Sequence, residues 1–250
     1  MRAVLLGFGG WVSDPVFGHT SILITSTDSS EYLLLDAGEG VYKSMCECGY
    51  CSITKLKTVV LTHYHGDHIL GLPTLVQLAK VAGTTIRVLG LEDTLEHALE
   101  MLATVGVSNY EGFVKPIPVE PGDRVSVGSL SVVFGGSEHT IPGIAVRVEE
   151  TESGKCLVYS GDTSFSEKLI ELAKGCSVLV HEASFDDSES LTARSLGHST
   201  ISDCLKTASL AGNKFVLPVH FGPKAPRLRL CEPSSGVTVI FPSRCLQLEI

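Results

Sequence analysis

Six consecutive residues, His63-Tyr64-His65-Gly66-Asp67-His68, bring four potential metal ligands into one short run. They follow an apolar, strand-like stretch at 56–61 and precede a helix-like one at 69–82. On extended backbone, residues two apart share a face, so His63 and His65 can aim at one metal ion. The chain then turns at Gly66, and Asp67 and His68 can face a second ion close by. An ion pair held in this way brings the pKa of bound water down to about 7 and clamps a phosphoryl or acyl oxygen.

Three further residues complete the set. His139 sits in Ser137-Glu138-His139-Thr140, Asp162 in Ser160-Gly161-Asp162-Thr163, and His220 in Pro218-Val219-His220-Phe221. Each ends an apolar, β-branched run, where a strand hands its last side chain to a loop. Five histidines and two aspartates, all nitrogen or oxygen donors, suit two zinc ions, with manganese or iron as substitutes.

The elements that must position these residues alternate along the chain. Strand-like runs fall at 3–7, 21–25, 32–35, 85–89, 125–127, 130–134, 144–148, 157–159, 178–180, 215–219 and 238–241. Further helix-like runs fall at 91–105, 166–174 and 201–211. Ser199 and Thr200 stand where the last helix needs its N-cap, and Asp203 lies in its first turn. Hairpins are expected at 127–130 and around 152–154. No Ser/Gly/Pro-rich linker divides the chain, so the expectation is one α/β domain over 1–250, or two tightly fused halves.

The motifs resemble those of the metallo-β-lactamase superfamily, and within it the ribonuclease Z family. Gly7-Phe8-Gly9-Gly10 is similar to that family's first strand-turn, and Asp36-Ala37-Gly38-Glu39-Gly40 to its second-strand signature. Residues 62–72, THYHGDHILGL, are nearly its metal motif. His181-Glu182-Ala183-Ser184 resembles its HEAT loop, with Ser in place of Thr, and His198-Ser199-Thr200 its HST loop. The resemblance implies an αββα sandwich of two facing mixed sheets with helices outside. It implies one metal on His63, His65 and His139, and a second on Asp67, His68 and His220, bridged by Asp162. A bridging hydroxide would attack phosphorus, Asp67 would orient or deprotonate the water, and Glu182 with His198 would protonate the leaving group. His181 is expected to pack or make hydrogen bonds.

The resemblance therefore implies a phosphodiesterase. The alternatives are a transfer RNA 3′-processing endonuclease, an ester, thioester or lactone hydrolase of the superfamily, and a metal-binding protein without catalysis. Family members that process transfer RNA usually carry a long arm between the third histidine and the bridging aspartate. Here only residues 140–161 lie between them, enough for two strands and a turn. Gly222 and Lys224 also stand where the family commonly has Ser and Arg. Small phosphodiesters are thus expected as better substrates than precursor transfer RNA. A homodimer is expected from the family, and from Leu70, Leu72, Leu75 and Leu78 lying on more than one face of their helix.

Composition bounds the remaining choices. A net charge of −9 does not favour non-specific nucleic-acid binding. Between Cys204 and Cys231, however, Lys206, Lys214, Lys224, Arg227 and Arg229 stand without an acid, a basic lip around His220 that could steer a phosphate or RNA. No apolar run approaches the roughly 18–20 residues of a membrane span. The first ten residues read as a strand and not as a signal peptide, so the expectation is a cytoplasmic protein without a membrane partner. Cys46, Cys48 and Cys51 admit three readings: part of a zinc site, a disulfide, or plain thiols on a short helix. Only Asn109, Asn213, Gln77 and Gln247 are side-chain amides, a thermophile-like scarcity that agrees with intracellular disulfides.

Overall fold

The computed structural model describes residues 1–12, 14–26, 30–222 and 236–250. Lys224, Arg227, Arg229 and Cys231 fall outside these, and with them most of the basic lip. The chain divides into two compact units, Met1–Glu120 with Ser243–Glu249, and Pro121–Pro242. Each carries its own mixed seven-stranded sheet with helices, as the α/β reading requires.

The first unit holds strands β1 (Arg2–Gly7), β2 (Ser21–Thr25), β3 (Tyr32–Leu35), β4 (Leu56–Val60), β5 (Ile86–Gly90), β6 (Val114–Pro118) and, from the end of the chain, β14 (Leu246–Glu249). Their order is β14-β1-β2-β3-β4-β5-β6. Pairing is antiparallel as far as β3 and parallel from β3 to β6. The central strands β2 and β3 are buried throughout, which is why they read as continuous apolar runs. Helix α3 (Leu72–Ala82) lays Leu72, Leu75, Val76 and Ala79 into this core, a single 3.6-period stripe. Leu70 and Val81 stay exposed. Apolar residues thus occupy more than one face, as expected, with Leu78 partly packed against the core, but only the one stripe is fully buried.

The second unit holds β7 (Arg124–Val127), β8 (Leu130–Gly136), β9 (Ile144–Glu150), β10 (Cys156–Tyr159), β11 (Val178–Glu182), β12 (Phe215–Val219) and β13 (Thr238–Val239), in the order β13-β12-β11-β10-β9-β8-β7. Pairing is antiparallel from β7 to β10 and parallel from β10 to β13. Both sheets therefore combine an antiparallel half with a parallel half. Helices α5 (Glu167–Ala173) and α7 (Ile201–Ala211) accompany this sheet, and Thr200 caps α7 with a full capping box to Asp203.

Several expectations are corrected. The helix expected over 69–82 is two: α2 (Gly66–Ile69) and α3, separated at Leu70-Gly71. Pro73 has no N–H to give and fits only in the first turn of a new helix. Gly71 instead donates its N–H to the Ala37 carbonyl at 2.7 Å. Strand β6 lies in what read as a loop, because Pro116 and Pro118 argue against an interior strand; at a sheet edge both are tolerated. Helix α1 (Val41–Glu47), helix α6 (Ser190–Ser195) and β14 also lacked a clear periodic signal.

The open cysteine question resolves as disulfides. Cys46 bonds Cys51, Cys48 bonds Cys245, and Cys156 bonds Cys176. Cys48–Cys245 joins residues 197 apart in sequence and fastens the segment of β14 to α1, where Arg244 also pairs with Glu47. Long loops lose most entropy when closed, so the double variant Cys48→Ser/Cys245→Ser should lose about 2–5 kcal/mol. Urea denaturation should show a lower midpoint, and wild type in excess reductant, with all three bonds open, should fall at least as far.

Candidate metal centre

In the first unit the site begins with a buried carboxylate. Asp36 follows β3 directly, and the parallel register Leu35↔Val60 sets it beside the end of β4. Its N–H donates to the Val60 carbonyl at 2.8 Å. Its carboxylate accepts from the Thr62 N–H at 2.8 Å and the Thr62 hydroxyl at 2.9 Å, and meets His68 Nδ1 at 2.7 Å. Asp36 adopts a left-handed backbone, φ 59°, and is fully buried. The Thr62 hydroxyl, its proton given to Asp36, lies 3.1 Å from His63 Nδ1 and can accept that N–H. A Cβ at Gly38 would stand 2.3 Å from the Asp67 carbonyl, so only glycine lets this segment approach the metal motif.

These bonds choose ring nitrogens. With Nδ1 of His63 and His68 committed as donors, Nε2 of each keeps its lone pair. His63 Nε2 lies 3.1 Å from His65 Nδ1, and His68 Nε2 lies 3.4 Å from Asp67 Oδ2. His63 Nε2 can accept the Nδ1–H of a neutral His65 or turn its lone pair to a cation, while His68 Nε2 against the Asp67 carboxylate calls for a proton or a metal ion between them. The donors are those that hold divalent cations, imidazole nitrogen and carboxylate oxygen, and they fit zinc, manganese or iron.

The second unit repeats the logic. His139 follows β8, and its Nδ1 donates to the Gly197 carbonyl at 2.8 Å. Burial pushes the His139 pKa down, outweighing the upward pull of Asp162 and of the Gly197 bond, so the ring is neutral and able to ligate. Gly197 has φ 69°, and a Cβ there would press within 2.9 Å of His139 and Thr140. Asp162 follows β10 and is buried. Its Oδ2 lies 3.2 Å from Nε2 of His220, which follows β12 with φ 62°.

Glu182 ends β11 and is fully buried. Its Oε1 accepts from the Thr163 N–H at 2.9 Å and from His198 Nδ1 at 2.8 Å. Its Oε2 accepts from the Ser184 hydroxyl at 2.7 Å and the Ser199 N–H at 3.1 Å. Burial alone would raise this carboxyl, but the attraction of His198 and its hydrogen bond outweigh burial and hold Glu182 below the usual carboxylate range. His198 is set from behind: its N–H donates to the Ala193 carbonyl of α6 at 2.8 Å, and the N-cap of α7, Thr200, stands two residues later. Its Nδ1 stands 3.9 Å from Asp162 Oδ2. Glu182, His198 and His220 thus form one tight cluster.

His181 is also buried, but donates Nδ1–H to the Glu182 carbonyl at 2.6 Å and is kept neutral by burial; it is a packing residue that steadies β11. Of the described basic residues expected near His220, Lys206 lies over the Phe165 ring, 4.4 Å from its centroid. His19 is buried with Nδ1 on the Gly10 carbonyl, while Trp11 is exposed. Residues that the motif reading left without a role are Asp36, Thr62, Gly197 and Ser184. A sequence signal existed for Asp36: an acid directly after four apolar strand residues must be buried and must have donors.

Comparison with known proteins agrees with this geometry. Residues 31–221 match the model of the β-lactamase superfamily domain. The chain is 30% identical to ribonuclease Z of Methanopyrus kandleri, over 93% of this chain and 91% of that one. Its fold superposes on the metallo-β-lactamase fold protein YhfI of Bacillus subtilis with a TM-score of 0.83 at 22% identity, covering 99% of each chain. The human short-form tRNase Z gives a TM-score of 0.82 at 20% identity, covering 100% of this chain and 99% of that one. A chain with the HxHxDH run, the buried Glu182–His198 pair and this fold belongs to the metallo-β-lactamase superfamily, in its ribonuclease Z family.

Proposed function

We propose that this protein is a metal-dependent phosphodiesterase of ribonuclease Z type. The observation that carries the reading is the Glu182–His198 pair, a buried carboxylate 2.8 Å from an imidazole beside Asp162 and His220. A thioester expels a thiolate that needs little protonation, and against ester and lactone hydrolysis, which expel an alkoxide as a phosphodiester does, stands the likeness of residues 181–184 and 198–200 to the HEAT and HST loops of the ribonuclease Z family. His63, His65 and His139 would hold one ion and Asp67, His68 and His220 the other, with Asp162 between them. Bound there, zinc ions would supply acidified water and charge compensation for the phosphoryl oxygens. Asp67 would orient the attacking water. His198, its Nδ1–H anchored on Glu182, would present a protonated Nε2 to the leaving oxygen.

Substrate size follows from the segment between His139 and Asp162. It contains the antiparallel pair β9–β10, closed by a turn in which Glu150 N–H donates to the Lys155 carbonyl at 2.9 Å. The hairpin supplies no extended arm to clamp a transfer RNA far from its 3′ end. This supports compact phosphodiesters as the preferred substrates, with RNA 3′ ends as the larger alternative. A homodimer accords with the exposed Leu70 and Val81, and light scattering at micromolar concentration would expose a monomer. No helix of the described residues is long and apolar enough to cross a membrane. A cytoplasmic site together with three disulfides points to a thermophilic source, where intracellular disulfides are tolerated.

Elemental analysis of protein purified without chelator should give two transition-metal ions per chain, lost with turnover in chelator and regained with zinc. Glu182→Gln and His198→Ala should retain the ions and slow cleavage of a poor leaving group about 100-fold. With bis(p-nitrophenyl) phosphate, whose leaving group needs little protonation, the loss should shrink. Equal losses would make the pair a substrate-positioning device. A precursor transfer RNA with a 3′ trailer should be cut more slowly than 2′,3′-cyclic nucleotides at equal enzyme; efficient 3′ processing at nanomolar enzyme would reverse that order.

Acid should destabilise the metal-free fold. His181 and His139 have folded pKa values below the ordinary histidine value, so the unfolded chain takes up their protons first as pH falls below about 6.5. Glu182, also depressed, contributes stability above its unfolded value that is lost as pH falls through its folded one. All three act in the same direction, but between pH 7.5 and 5.5 the two histidines carry the change, since Glu182 acts only in stronger acid. The urea midpoint in chelator should therefore drop between pH 7.5 and pH 5.5, and drop less in His181→Leu.

A further inference from the structure

We propose that the Ser184 hydroxyl is a positioning group that ties His220 to the Glu182–His198 pair, so that one buried oxygen sets both the metal-facing nitrogen of His220 and the seat of the proton donor. The inference rests on the reading of His220 as a ligand and of Glu182–His198 as the acid.

A serine hydroxyl has one proton and two lone pairs. Ser184 Oγ lies 2.7 Å from Glu182 Oε2, 2.8 Å from His220 Nδ1 and 3.4 Å from His198 Nδ1. Glu182 already accepts from Thr163 N–H, His198 Nδ1–H and Ser199 N–H, three donors that favour the ionised carboxylate. It has no proton to give, so the serine proton points to Oε2. The serine lone pairs then face His220, which must donate Nδ1–H. That fixes the His220 tautomer with its lone pair on Nε2, the atom 3.2 Å from Asp162 Oδ2. Ser184 and His220 are both almost wholly buried, so water does not replace the hydroxyl.

The chain has chosen a different partner for each candidate ligand it orients in this way. His68 uses the Asp36 carboxylate and His139 the Gly197 carbonyl. Ser184 touches a candidate ligand and both members of the acid pair through one atom. Without its oxygen, the His220 Nδ1–H would lose the acceptor 2.8 Å away, the ring could present N–H to the ion, and Oε2 of Glu182 would lose its 2.7 Å hydrogen bond.

The test uses the full chain with Ser184→Ala, Ser184→Cys and Ser184→Thr. Zinc affinity is read by competition with a chromophoric chelator, and turnover of a poor-leaving-group phosphodiester is read at saturating zinc. Ser184→Ala and Ser184→Cys should weaken binding of one of the two ions about 10–100-fold. At saturating zinc they should still turn over at least 10-fold slower, while Ser184→Thr stays near wild type in both readouts. The cysteine variant fills the space without a good hydrogen bond, so retention of both properties there would mean that only packing matters, and would overturn the proposal. Unchanged zinc affinity in Ser184→Ala would overturn it as well. If wild type shows no phosphodiester turnover but the serine variants still lose zinc affinity, the functional reading fails while the hold of Ser184 on His220 stands.

Discussion

Two buried carboxylates, Asp36 and Glu182, organise the chemistry of this protein. An ionised carboxylate inside a fold costs several kcal/mol unless its lone pairs are filled. Both sit at the carboxyl end of a parallel strand inside their sheet, where backbone N–H groups and loop side chains converge. Asp36 is filled by Thr62 and His68, and Glu182 by Thr163, Ser184, Ser199 and His198. Each imidazole that fills a carboxylate thereby has its tautomer chosen. The need to satisfy two buried charges and the need to present histidine nitrogens in a defined state are met by the same hydrogen bonds.

The backbone accommodates this at some cost. Asp36 and His220 both hold left-handed conformations that side-chain-bearing residues seldom adopt, each worth on the order of 1–3 kcal/mol. Gly38 and Gly197 are needed where a Cβ would strike the metal motif or His139. The surrounding material is correspondingly over-determined: fully buried strands behind Asp36, a capping box on α7, and disulfides in both units. Strain gathered at the ligand-bearing loops and rigidity gathered behind them is the pattern expected of a preorganised site.

Each sheet is antiparallel on one side and parallel on the other, and the candidate chemistry clusters at the parallel strands. Asp36 follows β3 and His63 follows β4. Asp162, Glu182 and His220 come from β10, β11 and β12. Parallel strands share the direction of their carboxyl ends, so successive loops emerge side by side. His139, which follows the antiparallel β8, is the exception, and its ring is set by a backbone carbonyl, that of Gly197.

The candidate ligand types, most strands and the family were legible in the chain alone. Those signals are local: the HxHxDH run, β-branched segments ending in His or Asp, and a capped helix after His198. It determined that residues 140–161 could hold only a hairpin, because two strands and a turn consume the length. It did not reveal that Pro73 splits the helix after the metal motif at Gly71, or that two prolines sit in an edge strand, because both depend on neighbours distant in sequence. The cysteine pairs were undecided for the same reason; Cys48 finds its partner 197 residues away. Which groups stand behind the candidate ligands was settled only by packing. Asp36 meets His68, Gly197 meets His139, and Ser184 meets His220 only when strands and loops far apart in the chain are brought together. Hydrogen-bond partnership at such separations is set by packing and not by spacing.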